Sequence, residues 1–167
     1  MITRHNERID PARTHLNYNM AAELQPLPQK KFIENRLSVV RHIDYNKRHN
    51  IILMCDWVVT LPENVPMECS DEFFKIAFDF LCERYGAENV ISAHVHRDET
   101  RDHMHFAFIP VVRDEDGTER LCAKERVCLT DLRRFHPALQ KYCEDKMNQS
   151  VAILNGKTEG GNLTIEA

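Results

Sequence analysis

The sequence has no run of eighteen apolar residues, which removes a membrane-spanning helix from consideration. No apolar leader core follows Met1, so no secretory signal is read. Cys55, Cys69, Cys82, Cys122, Cys128 and Cys143 form no C-x-x-C pair and no small-scaffold pattern. They read as free thiols of a protein in the reducing cytoplasm, used mostly for packing. There is no internal repeat. Positive charge is also short: 22 Lys and Arg stand against 26 Asp and Glu, for a net charge of -4. Bulk charge therefore does not advertise a nucleic-acid binder. What is left is an ordinary globular composition, long enough at 167 residues for one domain with its own core.

The charge is unevenly placed. Residues 1–50 hold nine Lys and Arg against five Asp and Glu, residues 51–100 three against ten, and residues 101–167 ten against eleven. The first third is basic, and it is dense in His, Asn and Arg. Loops of that composition commonly carry function, and a basic face suits phosphate. Arg13, Lys30 and Lys31 are the cations expected to meet phosphate, and a solvated basic surface is the other reading.

The richest stretch is Val90 to Val112, where four of the nine histidines fall between His94 and His105. Val90–Arg97 and His103–Arg113 are rich in β-formers, and the charged residues 98–102 suit a connecting turn, which predicts a β-hairpin. Side chains alternate along a strand, so His103 and His105 share a face. A lone His-x-His is commonly a packing feature. A third imidazole at His96, with Asp98 and Glu99 in the turn, points instead to a metal site on His96, His103 and His105. Three imidazoles leave coordination positions open, as catalytic sites do. His94 shares the face of His96 but is left outside the triad.

Around this hairpin the pattern alternates helix and strand, an α+β class. Ala21–Pro28 is a connector. Apolar Phe32, Ile33, Leu37 and Val40 predict an amphipathic helix over Gln29–His42. Asn50–Leu61 is apolar on both faces and predicts a central strand. Ser70 is the expected cap of a helix with Phe73, Ile76, Ala77, Phe80 and Leu81 buried and Gly86 as its stop. Asp114–Gly117 is a turn, and Arg120–Val127 a strand. Thr130 is the expected cap of a helix over Asp131–Met147, with Leu132, Phe135, Leu139 and Tyr142 inward and Pro137 kinking or restarting it. Val151–Leu154 reads as a last strand. Residues 1–155 are expected to form the catalytic domain and residues 156–167, glycine-rich and polar, a flexible tail or linker.

At the hairpin the sequence resembles a known family. HRDETRDHMH is similar to the HxDExxxHxH motif of plasmid mobilisation relaxases of the Pre/Mob (MobV) type, within the HUH endonucleases. RHNER, RTHLNYNM and CDWVVT look like further blocks of that family in the right order, so the resemblance covers about residues 4 to 155. Two departures stand out. Members carry Pro just before the second His, and here it is Asp102. Members begin with an extra segment ahead of the HNER block, where this chain has Met1–Arg4.

The resemblance implies an antiparallel sheet of about five strands with flanking helices and the metal site on the other face. It implies a metal-dependent relaxase that nicks one strand of transfer-origin DNA through a covalent 5′-phosphate intermediate. His5 matches the catalytic histidine block, Arg8 would stabilise the transition state, and Glu99 matches the motif acid that orients His5. Tyr18 is the alternative nucleophile, because relaxases of other families use tyrosine, and His15 is third. Asp98 is expected to fix the turn or a ligand histidine. Imidazole chemistry ranks zinc, iron, nickel and copper above magnesium. The family implies manganese or magnesium, and manganese is the expected ion. The expected partner is single-stranded or hairpin transfer-origin DNA, with any homodimer formed through a region absent from this chain. A rolling-circle replication initiator, a non-catalytic DNA-binding module and an unrelated metallohydrolase are the competing readings.

Overall fold

Extended residues rich in Val, Ile and Phe pair into one antiparallel sheet at the centre of the molecule. The structure, a computed structural model, describes residues 9–40 and 51–154. Strands β1 (Tyr18–Asn19), β2 (Cys55–Thr60), β3 (Val90–His96) and β4 (His103–Phe108) lie in the order β1-β3-β4-β2. The predicted hairpin is β3–β4, and its register sets His96 opposite His103 and His94 opposite His105. On the other side of β4, Val58 lies opposite His105 and Thr60 opposite His103. A register shift between Val90 and Ser92 marks a bulge near the start of β3.

Strand periodicity then divides the side chains between two faces. Ala93, Val95, Met104, Phe106 and Phe108 point to the main core. That face is covered by helix α2 (Ser70–Tyr85) and by the last long helix, Leu129–Met147. Ile91, Ala107 and Ile109 point to the opposite face, where Phe32, Ile33 and Leu37 of helix α1 (Gln29–Val39) pack on them. The four hairpin histidines lie on this second face, beyond the part that α1 covers.

Local chemistry fixes the ends of α2. Gly86 closes it at φ 89°, its N–H on the Cys82 carbonyl at 2.9 Å. A Cβ there would meet Asn89 Nδ2 at 2.6 Å, so glycine is required on both counts. Ser70 does not cap this helix. Cys69 is the N-cap, and the Ser70 hydroxyl donates instead to Asp102 Oδ2 at 3.1 Å.

Several expectations are corrected. The segment expected as a central strand over Asn50–Leu61 is strand only from Cys55 to Thr60, and it is an edge strand among the described residues. Its apolar outer residues mislead: Val58 is exposed, while Trp57 turns inward, stacks on Phe135 at 3.7 Å and donates from Nε1 to the Tyr85 hydroxyl at 2.9 Å. The predicted strand His103–Arg113 ends at Phe108 and resumes as β5 (Val111–Arg113), because Pro110 has no N–H for the ladder. The expected strand Arg120–Val127 is strand β6 (Glu119–Leu121), paired with β5 around the Asp114–Gly117 turn, followed by a short helix α3 (Ala123–Arg126).

Helix α4 (Leu129–Met147) starts before Thr130. Its cap is Cys128, whose Sγ accepts the Asp131 N–H. It runs on through the exposed Pro137 without restarting. Phe135 and Leu139 are buried as expected, but Leu132 is exposed. Val151–Leu154 forms no strand. It is held instead by the Val151 N–H on Glu144 and the Ala152 N–H on Asn64. His42, Asn50 and the tail expected over 156–167 lie outside the described residues.

Candidate active site

The exposed end of the second sheet face gathers the imidazoles. The ring centroids of His96, His103 and His105 form a near-equilateral triangle, 5.2, 5.3 and 5.5 Å on its sides. A metal about 2.1 Å from one nitrogen of each ring in tetrahedral geometry separates centroids by roughly 5 Å, so the spacing fits. Among the described residues no three His, Cys, Asp or Glu donors are already gathered on one ion position. The rings are at the right separation, and their nitrogens have still to turn onto a common centre.

The partners of the rings say which nitrogen does so. His105 Nδ1 lies 2.8 Å from Asp56 Oδ2, and His103 Nδ1 lies 2.9 Å from the Arg101 carbonyl oxygen. Both partners accept only, so Nδ1 carries the hydrogen. In the neutral ring that leaves the Nε2 lone pair for a ligand. His96 Nδ1 sits 3.9 Å from Asp98 Oδ1, a buried carboxylate oxygen with no hydrogen-bond partner. That orphaned atom is the acceptor the third imidazole would need. Three histidines backed by two carboxylates and a carbonyl make a coherent divalent-metal donor set.

Electrostatics favour the neutral rings. Burial, and then the neighbouring His103 and His105, lower the pKa of His96 below the ordinary imidazole value. Burial also acts against the charge of Asp98, but hydrogen bonds from the Asn17 and Thr14 side chains outweigh it and hold the carboxyl below its usual range. His94 lies on the same face, exposed, its ring 6.5 Å from that of His96.

The N-terminal loop is tied to this hairpin. The Asp10 N–H donates to the Asp98 carbonyl at 2.6 Å, and the Arg97 N–H donates to Asn17 Oδ1 at 2.7 Å. Arg13 points at Asp102, with NH2 3.5 Å from Oδ1. His15 is exposed on the same loop, in a 3-10 turn. Glu99 is half-buried in the hairpin turn. His5 and Arg8 lie outside the described residues.

Tyr18 is not brought to the imidazoles. It pairs with Val95, a core-facing residue, and so lies on the opposite face of the sheet. Its hydroxyl donates to Asp71 Oδ1 at 2.7 Å. Burial and then that bond push its pKa well above the usual tyrosine value. Lys30 and Lys31 are exposed on α1, which packs on the same sheet face as the histidines.

Two residues of the site escaped sequence reasoning. Asp56 had a signal: it is an acid inside the apolar block CDWVVT. Asn17 had only its place in the block RTHLNYNM, because an asparagine in a polar loop otherwise looks like any other.

Comparison with known proteins identifies the family and the fold. A family model described as "Plasmid recombination enzyme" matches residues 2–151. A plasmid recombination enzyme of Streptococcus agalactiae is 28% identical over 147 residues, 86% of this chain and 29% of its own length. A type 1 enzyme of Staphylococcus aureus is 34% identical over 139 residues, 75% of this chain and 33% of its own. The chain thus spans about a third of the length of these curated relatives. Among solved structures, a Mn-bound MobM relaxase domain on a 22-nucleotide plasmid oriT DNA is 25% identical with a TM-score of 0.73, covering 96% of this chain and 81% of that one. The same domain on 23 nucleotides is 25% identical with a TM-score of 0.74, covering 97% and 85%. No helix among the described residues is long and apolar enough to cross a membrane. With its sheet, its histidine hairpin and a family match over residues 2–151, the chain belongs to Mob_Pre, the family of plasmid recombination enzymes.

Proposed function

We propose that residues 1–155 are the catalytic domain of a relaxase that nicks one strand of transfer-origin DNA and retains its 5′ phosphate covalently. The observation that carries this reading is the triangle of imidazoles, two of them hydrogen-bonded at Nδ1, on an exposed sheet face to which the N-terminal loop is tied. The Mn-bound, oriT-bound MobM relaxase domains of the same fold support it.

His96, His103 and His105 hold the divalent ion, for which manganese is our choice over magnesium. When bound, the ion supplies positive charge to the scissile phosphate and the leaving oxygen. Asp56 and the Arg101 carbonyl fix two of the rings, and Asp98 the third. His5 is the nucleophile. It lies five residues before Asp10 in the sequence, and the Asp10 N–H is bonded to the Asp98 carbonyl. A neutral His5 nitrogen attacks phosphorus, the P–O3′ bond breaks, and the strand leaves with a 3′ hydroxyl after taking up a proton. The product on the protein is a phosphoramidate. Glu99 accepts the other ring N–H of His5 and orients it. Arg8 bonds the phosphate oxygens as charge develops. Tyr18, on the far face and bonded to Asp71, is poorly placed to compete.

The test is a nicking assay on oriT-type DNA with chelator and added Mn2+, followed by digestion of the trapped adduct and mass spectrometry. The expected adduct is acid-labile and maps to His5. An acid-stable adduct on Tyr18 would overturn the assignment, and full nicking in chelator would overturn the metal.

A further inference from the structure

Asp102 precedes the metal-face residue His103, yet its own side chain points the other way, under the sheet. It is 2% exposed, a burial that a carboxyl group tolerates only with partners. It has three. Oδ1 lies 3.5 Å from Arg13 of the N-terminal loop, Oδ2 lies 3.5 Å from Arg97 Nε at the end of β3, and Oδ2 accepts from Ser70 at the first turn of α2. Its carbonyl accepts the Leu61 N–H at 3.0 Å, just past the end of β2. Arg97 continues the network, with NH2 2.5 Å from Asp71 and 3.3 Å from the Ser70 hydroxyl. One buried acid therefore joins the loop, both strands of the hairpin, the edge strand and a helix.

We infer that Asp102 is a positioning residue: through Arg13 it locks the N-terminal loop around residues 10–17 to the hairpin that carries the imidazoles. This deepens the relaxase reading and rests on it for its catalytic consequence. It also gives Arg13 a task other than the phosphate contact its charge suggests. Arg13 NH2 is spent on a buried carboxylate, and a guanidinium held there keeps its loop in place whether or not DNA is bound. The neighbouring hydrogen bonds are one backbone pair, from the Asp10 N–H to the Asp98 carbonyl, and one from the Arg97 N–H to the Asn17 side chain, and the ion pair adds the buried anchor beside them.

The full chain without metal is compared by amide hydrogen exchange as wild type, Asp102→Asn, Arg13→Gln, the double variant and Arg13→Lys. Asp102→Asn and Arg13→Gln should each speed exchange at Asp10 and Arg97 by about tenfold or more, leaving Phe135 and Leu139 in α4 unchanged. The double variant should add nothing beyond Asp102→Asn, because the Arg13–Asp102 pair is already lost there. Arg13→Lys should restore part of the protection. If Asp102→Asn does not fold, Ser70→Ala removes one hydroxyl from the same carboxylate and should show the effect in smaller measure.

In single-turnover nicking with Mn2+, the Asp102 and Arg13 variants should lose on the order of tenfold to a hundredfold in rate, with DNA affinity and its salt dependence unchanged. Unaltered exchange at Asp10 and Arg97 overturns the inference. So does an Arg13→Gln variant that weakens DNA binding and lowers the salt slope by about 0.7. Failure of the wild type to nick would sink the relaxase reading alone, since the exchange data decide the positioning role independently.

Discussion

The second face of the sheet has two ends that follow opposite rules. At one end Ile91, Ala107 and Ile109 meet Phe32, Ile33 and Leu37, and helix α1 shuts out water. At the other end the same two strands, in the same side-chain parity, present His94, His96, His103 and His105, and α1 does not reach them. The difference lies in what the strands are asked to bind. Apolar side chains gain by losing water, at about 25 cal/mol per Å2 buried, so the covered end contributes stability. Imidazoles, two of them anchored at Nδ1, gain from an external ligand, so the open end contributes a site.

The sharpest way to break this comparison is one substitution at each end. His103→Ala should abolish nicking and reduce Mn2+ affinity severely, while the melting temperature of the metal-free protein stays near wild type. Ile109→Ala, fully buried, should cost about 2–5 kcal/mol of stability with little effect on intrinsic metal affinity in the folded fraction. Urea melts and metal titrations on both variants check it, and equal stability losses would erase the distinction.

A smaller effect is expected at Asp56. Replacing it with Asn keeps the shape but removes the charge behind His105, which should weaken metal binding by about 10–100-fold. Isothermal titration with Mn2+ measures this, and unchanged affinity would make Asp56 a surface residue.

The pH response should follow the same division. The pKa of His96 is lowered in the folded chain, so its neutral form is favoured there. Its contribution to stability is present above the ordinary imidazole pKa and fades as pH falls through the lower folded value. Asp98, lowered in its own range, contributes above the ordinary carboxyl pKa and loses that only at more acid pH. Mn2+ affinity should therefore fall first, in the imidazole range, while the fold persists to lower pH. Metal titration and circular dichroism from about pH 2 to pH 8, which brackets both groups, should separate the transitions. Coincident midpoints would contradict this order.

The smallest effect is expected on α1. Lys30, 89% exposed and 4.0 Å from Glu34, and Lys31 would each lower the slope of log affinity against log salt by about 0.7 if they touch a single strand. Fluorescence anisotropy of the Lys30→Ala, Lys31→Ala double variant reads it directly. An unchanged slope would leave them facing water.

The sequence made the hairpin legible because period-two spacing of histidines survives folding unchanged: His103 and His105 share a face by strand geometry, and the hairpin register sets His96 opposite His103. The buried stripe of α2 and the stop at Gly86 were legible for the same local reason. The edge position of β2 was not, because Val58 is apolar yet exposed, and only pairing reveals which strand lacks a neighbour. Asp56 and Asp102 were illegible in their roles. A carboxylate's partner is chosen by tertiary approach, 49 residues away for His105 and 89 for Arg13, and no local pattern encodes it.

The antiparallel register also decides which length changes the hairpin tolerates. One residue inserted between His103 and His105 would turn one imidazole into the space now filled by Met104 or Phe106, and one apolar residue out to water. Two inserted residues would restore the parity but slide His105 about 7 Å along the strand, past any centre shared with His96. The turn between Asp98 and Arg101 lies outside the ladder and imposes no parity. Natural length variation in this hairpin should therefore collect in the turn, and the His-x-His unit should be inherited as one block.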